Sequence, residues 1–167
     1  MNRKRITAYY ADWVRGPAGK ENGDAVSQSV IDENLKLAVV RCNYLRGLTG
    51  WSIYCPHEAI NERVVAAGWR EGLITSRDIL LHSSEIVKAC SVFIVGGDPE
   101  QSDGVKFEME TAIEADEIIM LAFSFWTPLF GGNFIGEDKM AAAMLSFAEY
   151  AEGVICDRLT KGTNDAR

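Results

Sequence analysis

The chain has 167 residues, with 17 Lys and Arg against 24 Asp and Glu and a net charge of −7. Hydrophobic residues make up 47% and charged residues 25%, as in an ordinary globular protein, and the length suits one domain over residues 1–167. Scattered, outnumbered basic residues exclude a polynucleotide grip, which needs a basic patch to neutralise phosphates. One small phosphate held by a single Arg and a few backbone amides stays compatible with that balance. The four cysteines, Cys42, Cys55, Cys90 and Cys156, form no CxxC pair, and with only His57 and His82 beside them no zinc-ligand pattern appears. Four reduced thiols, a basic start without an apolar signal-peptide core, and no apolar run longer than Ile118 to Phe123 predict a cytoplasmic protein without a membrane partner.

In chain order, Ile6 to Ala11 reads as a short strand that runs into the loop Arg15-Gly16-Pro17-Ala18-Gly19. Asp24 is the predicted N-cap of a helix whose apolar positions run from Val26 through Leu35, Ala38 and Cys42 and which ends at Gly47 to Gly50. Trp51 to Tyr54 is a second strand, stopped by Pro56, and Glu62 to Ala67 a further helix. Thr75 or Ser76 caps the next helix, which carries Ile79, Leu80, Ile86, Val87 and Cys90. Ser91 to Val95 is apolar throughout, the pattern of a strand covered on both faces, and Gly96-Gly97 breaks it. The loop DPEQSDG leads into a helix bearing Phe107, Met109, Ala112 and Ile113, followed by a strand over Glu117 to Phe123. Met140 to Tyr150 is read as a helix, Val154-Ile155 as a last short strand, and the residues from about 160 as a polar tail.

Strands alternating with helices predict an α/β fold: a Rossmann-like (flavodoxin-like), doubly wound parallel sheet of about five strands with helices on both faces. Ligands of such sheets bind beyond the C-terminal strand ends, which nominates the loops Asp12 to Gly19, Pro56 to Ile60 and Gly96 to Gly104. Gly96 to Ala112 is the most informative stretch, because it leaves a buried strand, turns through glycines and enters a helix with Glu108 one turn inside. Glu108 has two readings, a solvated helix-start carboxylate and a partly buried functional one.

SDGVKFEMETA resembles the signature of the nucleoside 2-deoxyribosyltransferase-like superfamily, in which a nucleophilic Glu follows four residues after a Gly. Gly104 and Glu108 match that spacing and Ala112 matches a small helical residue, while Glu110 stands where the family has Gly. ACSVFIVGGD is similar to the family's strand before the catalytic loop, and Asp78 resembles its acidic residue on the preceding helix. ITAYYADWVRGPAG looks like the first strand and phosphate-side loop of the family's nucleoside monophosphate N-glycosidases, keeping Arg15-Gly16 but with Asp12 for a Gly. NLKLAVVRCNYL and WSIYCPHEAIN resemble small domains common in phage and prophage genomes. The resemblance runs from Ile6 to about Leu121 and does not extend into FWTPLFGGNFIGEDKM.

The resemblance implies a Glu108 nucleophile attacking the anomeric carbon, with Asp78 hydrogen-bonding or protonating the departing base and no cofactor or metal. At Ser102, six residues before Glu108, the transferases carry Asp for a free 5′-hydroxyl and the monophosphate hydrolases Ser, which can donate to a phosphate. Ser102 and Arg15 therefore favour a nucleoside 5′-monophosphate, with a plain helix cap as the other reading of Ser102 and the adjacent Asp103 as a competing carboxylate. Tyr9 and Trp13 are candidates to stack on a base, with core packing as the alternative, and His57 to touch sugar or phosphate. Gly16, Asp98 and Gly104 complete the expected substrate loops, although Asp98 also suits a simple turn. The expected function is a nucleotide N-glycosidase. The alternatives are a base-exchanging deoxyribosyltransferase and a catalytically silent nucleotide-binding or sequestering protein of phage origin. The family also implies a homodimer or larger assembly, with Phe125 to Met140 as the candidate interface.

Overall fold

The computed structural model describes residues 6–16, 18–19, 26–60, 63–125 and 137–164. Strand β1, Thr7–Ala11, is TAYYA, whose Tyr and Thr residues suit a pleated surface. It is buried from Ala8 onward because its neighbours and helices leave neither face to solvent. Strands β2 (Ser52–Tyr54), β3 (Val92–Val95) and β4 (Ile118–Met120) join it in the order β2-β1-β3-β4, and every pairing is parallel. The register sets Tyr9 beside Tyr54 and Phe93, and Tyr10 beside Ile94.

Parallel neighbours need crossovers, and helices supply them. Helix α1 (Gln28–Thr49) connects β1 to β2. Helices α2 (Pro56–Ile60), α3 (Arg63–Arg70) and α4 (Ser76–Val87) connect β2 to β3. A 3-10 turn, Pro99–Gln101, and helix α5 (Asp103–Glu114) lie between β3 and β4, and helix α6 (Glu137–Asn164) comes last. Alternation along the strands splits the core in two. Ala8, Tyr10, Val92 and Ile94 pack with Cys42 and Leu45 of α1 and Met144 and Phe147 of α6. Tyr9, Ala11, Phe93 and Val95 pack with Val87 of α4 and Val105 and Ala112 of α5. The fold is therefore α/β and Rossmann-like, with helices on both faces.

Several local expectations change. The described sheet has four strands, where about five are expected. Val154 and Ile155 lie inside α6, because Met144, Phe147, Ala148, Ala151 and Ile155 recur at helical spacing and are all buried. That stripe outweighs two β-branched residues. The same helix runs to Asn164, through the predicted polar tail. Pro56 opens a short helix instead of a loop, since its fixed φ suits a first helical position. Strand β4 stops at Met120, and residues 123–125 are helical. Ser27 occupies the N-cap position of α1, and Asp24 lies outside the described residues. The candidate interface Phe125 to Met140 lies largely outside them too, although Phe125 packs edge-on against Phe147 at 5.5 Å. Among the described residues no helix is long and apolar enough to cross a membrane.

Candidate functional site

The chain enters the sheet at β1, winds one way to β2 and then the other way to β3, so the winding reverses between β1 and β3. Their C-terminal ends diverge there into the crevice where such sheets hold ligands. A cavity of about 290 Å³ opens at that place. Its walls come from Asp12 directly after β1, the loop that follows (Arg15, Gly16), α2 (His57), α4 (Ser83) and the first turns of α5 (Glu108).

The glycines have steric reasons. A Cβ on Gly97 would sit 2.8 Å from the Asp12 carboxylate and 2.9 Å from the Trp13 backbone nitrogen, so only glycine lets the loops approach. Gly16 has φ +58°, a left-handed value that side chains resist, and the Trp13 indole packs against it.

Glu108 lies one turn into α5 and is 6% exposed. The Tyr9 hydroxyl donates to its Oε1 at 2.6 Å. Tyr9 is held in turn by Phe93, stacked at 5.6 Å and 9°, and by Tyr54 at 5.6 Å. Burial pushes the Glu108 carboxyl above the ordinary value, opposed by hydrogen bonds from Tyr9 and Ser83 and by charge on His57. Burial and the Glu108 charge hold the Tyr9 phenol well above its own usual value, so it stays a donor. Glu108 is thus the buried carboxylate of the two sequence readings.

Asp12 is also buried, and its partners differ. Its Oδ2 accepts from the Tyr10 hydroxyl at 2.7 Å and from Arg41 Nη1 at 3.1 Å, while Oδ1 accepts from the Trp13 backbone N–H at 2.9 Å. His57 is 2% exposed. Its Nδ1 lies 4.0 Å from Cys55 Sγ, and its buried Nε2 has no hydrogen-bond partner. Burial alone would lower the His57 pKa, but the Cys55 sulfur and the Asp12 and Glu108 charges outweigh it and hold it above the ordinary value. An imidazole and a carboxylate of raised proton affinity therefore share one cavity wall, the kind of perturbed titratable pair that marks a candidate site.

The other candidates distribute as follows. Arg15, Gly16, Ser102, Asp103 and Gly104 line the cavity with His57 and Glu108. Ser102 is the N-cap of α5, where its Oγ accepts from the Val105 N–H at 3.4 Å. Tyr9 and Trp13 are not among the lining residues; Tyr9 acts on the cavity through Glu108. Asp98 caps the 3-10 turn by accepting from the Glu100 N–H at 3.0 Å. Asp78 stands apart. It is exposed and closes a capping box with Thr75, accepting from the Thr75 N–H at 2.9 Å and hydroxyl at 2.6 Å. Those bonds hold its carboxyl below the usual range. Ser76, Ile79, Leu80 and Ser83 form the cavity-facing stripe of α4, and Asp78 falls off that stripe by helical geometry.

Asp12, Ser83 and Trp69 are cavity residues that motif reasoning left out of the site. Asp12 was discoverable, since it directly follows the central strand at its C-terminal end. Ser83 and Trp69 carry no such local signal. Among the described residues, no group of three or more His, Cys, Asp and Glu is placed to hold a metal ion. No family model matches the chain, and no curated protein matches it.

Proposed function

We propose that the chain is a nucleotide N-glycosidase that cleaves the base–sugar bond of a nucleoside 5′-monophosphate. The observation that carries this reading is Glu108: a buried carboxylate, oriented by the Tyr9 hydroxyl at 2.6 Å, on the wall of the switch-point cavity. Glu108 attacks the anomeric carbon as the glycosidic C–N bond breaks, and the bonding pair leaves with the base. His57 supplies the proton that the departing base takes up, a role for which the exposed, cap-bound Asp78 is misplaced. Water then displaces Glu108 from the sugar.

Phosphate recognition falls to Arg15 and to the start of α5. Ser102 uses an oxygen lone pair for its cap, which leaves its hydroxyl hydrogen for a phosphate oxygen, so its two readings are compatible. The helix N-terminus adds a field favourable to an anion, offset in part by Asp103 in its first turn. The test is incubation with ribo- and deoxyribonucleoside monophosphates and the matching nucleosides, followed by chromatography for free base. Base release from monophosphates, with KM raised by Arg15→Gln for the monophosphate far more than for the nucleoside, is the expected result. No base from any of them, or equal losses on both, would refute the reading.

A further inference from the structure

A second cavity of about 310 Å³ adjoins the first, and Arg15, Ile60 and Trp69 line both. Gln28, Ile31, Asp32 and Leu35 of α1 and Arg70 of α3 form the rest of its wall. Nothing in the proposed glycosidase chemistry uses this space.

Its position and walls indicate an occupant. Arg15 stands at the junction, so a phosphate held there has the sugar and base on the Glu108 side and the second cavity on the other. Whatever that phosphate carries beyond the sugar projects toward Arg70 and Trp69. Guanidinium groups suit a second phosphate, since they can donate two hydrogen bonds to neighbouring oxygens. The Trp69 ring with Ile31, Leu35 and Ile60 suits a flat, largely apolar ring, for which an aromatic face is a sequence-tolerant platform. The first turn of α1 carries no acidic residue, and Ser27 makes no side-chain cap there. Among the described residues Asp32 is the one carboxylate on the wall, and its Oδ1 accepts from Gln28 Nε2 at 2.8 Å.

We propose that the second cavity is a subsite for the distal half of a dinucleotide joined through a pyrophosphate, and that such a dinucleotide is the preferred substrate class. The proposal rests on the nucleotide reading of the first cavity. It differs from that reading in assigning Arg70, which lines the second cavity and not the first.

Binding of AMP, ADP and the dinucleotide NAD+ to the full chain tests it, by calorimetry on Glu108→Gln to prevent turnover and again with Arg70→Gln added. The expected order is NAD+ tighter than ADP and ADP tighter than AMP. Arg70→Gln should weaken NAD+ about tenfold, the loss of roughly one charge-assisted hydrogen bond, and leave AMP within about twofold. AMP binding as tightly as NAD+, or Arg70→Gln weakening both alike, would overturn the subsite and leave the monophosphate reading standing. ADP matching NAD+ would overturn the second ring. No binding of any of the three would overturn the nucleotide reading and the subsite together. Arg70 is exposed, and a melting curve on the variant establishes that it folds.

Discussion

Tyr9 and Tyr10 are adjacent in sequence and face opposite sides of the sheet, and each hydroxyl donates to a buried carboxylate, Glu108 at 2.6 Å and Asp12 at 2.7 Å. The two units then diverge. Asp12 has Arg41 at 3.1 Å and the Trp13 amide, so its charge is compensated inside the fold. Among the described residues no Arg or Lys pairs with Glu108, whose carboxyl is raised by burial. The same tyrosine–carboxylate device thus stands beside a cation on one face, while on the other it holds a carboxyl raised by burial with no Arg or Lys paired to it among the described residues.

The largest effect should come from Glu108→Gln, which breaks the reactive unit. Base release should fall by about a thousandfold or more, as for loss of a nucleophile. The variant should also melt higher by about 2–4 °C at neutral pH, for a gain of about 1 kcal/mol. The sign follows from the raised carboxyl: its proton is bound more tightly folded than unfolded, so the native chain loses stability as pH rises, and the advantage of Glu108→Gln widens with pH. A Tm advantage that narrows as pH rises would contradict the assignment.

Arg41→Met attacks the structural unit. It leaves Asp12 buried without its cation, at a cost of about 3–5 kcal/mol and a Tm drop of about 10 °C. Adding Asp12→Asn should recover most of that loss, and a double variant as unstable as the single would argue that Arg41 acts elsewhere.

A sharper comparison sets Tyr9→Phe against Tyr10→Phe. The first removes a donor that favours ionised Glu108, so the acidic limb of the kcat/KM profile should move to higher pH, with kcat down about tenfold at neutrality. The second should leave the profile in place and lower stability by about 1–2 kcal/mol. Identical pH profiles for both variants would erase the distinction drawn between the faces. The smallest effect is expected for Asp78→Asn: a slight drop in Tm from the weakened capping box, with turnover within about twofold. A large loss of kcat would return the acid role to Asp78.

Much of the local architecture was legible because it is written in short-range pattern. The apolar run of β3, the glycine pair after it, the Thr75 and Ser102 caps and the helix carrying Glu108 each depend on residues within a few positions. The spacing that places Glu108 one turn past Gly104 also put it at the right strand end. The placement of Asp78 was not legible in the same way. Sequence proximity set it on the correct helix, but the 3.6-residue period turned it off the cavity stripe and Thr75 took its carboxylate. Val154-Ile155 shows the limit of two-residue signals against a long helical stripe.

By itself the sequence determined four strands, the Thr75 and Ser102 caps, the glycine loops and the acidic balance that leaves any phosphate to local donors. Tertiary structure alone decided which carboxylate is paired with a cation and which is raised by burial. Tyr9 reaches Glu108 across 99 positions and Arg41 reaches Asp12 across 29. Such pairings follow from parallel register and helix packing, which no local periodicity encodes. His57 likewise reads as a loop residue in the chain and becomes a buried imidazole only when α2 is packed over the strand ends. Burial sets the proton affinities of these groups, and burial is a property of the assembled sheet.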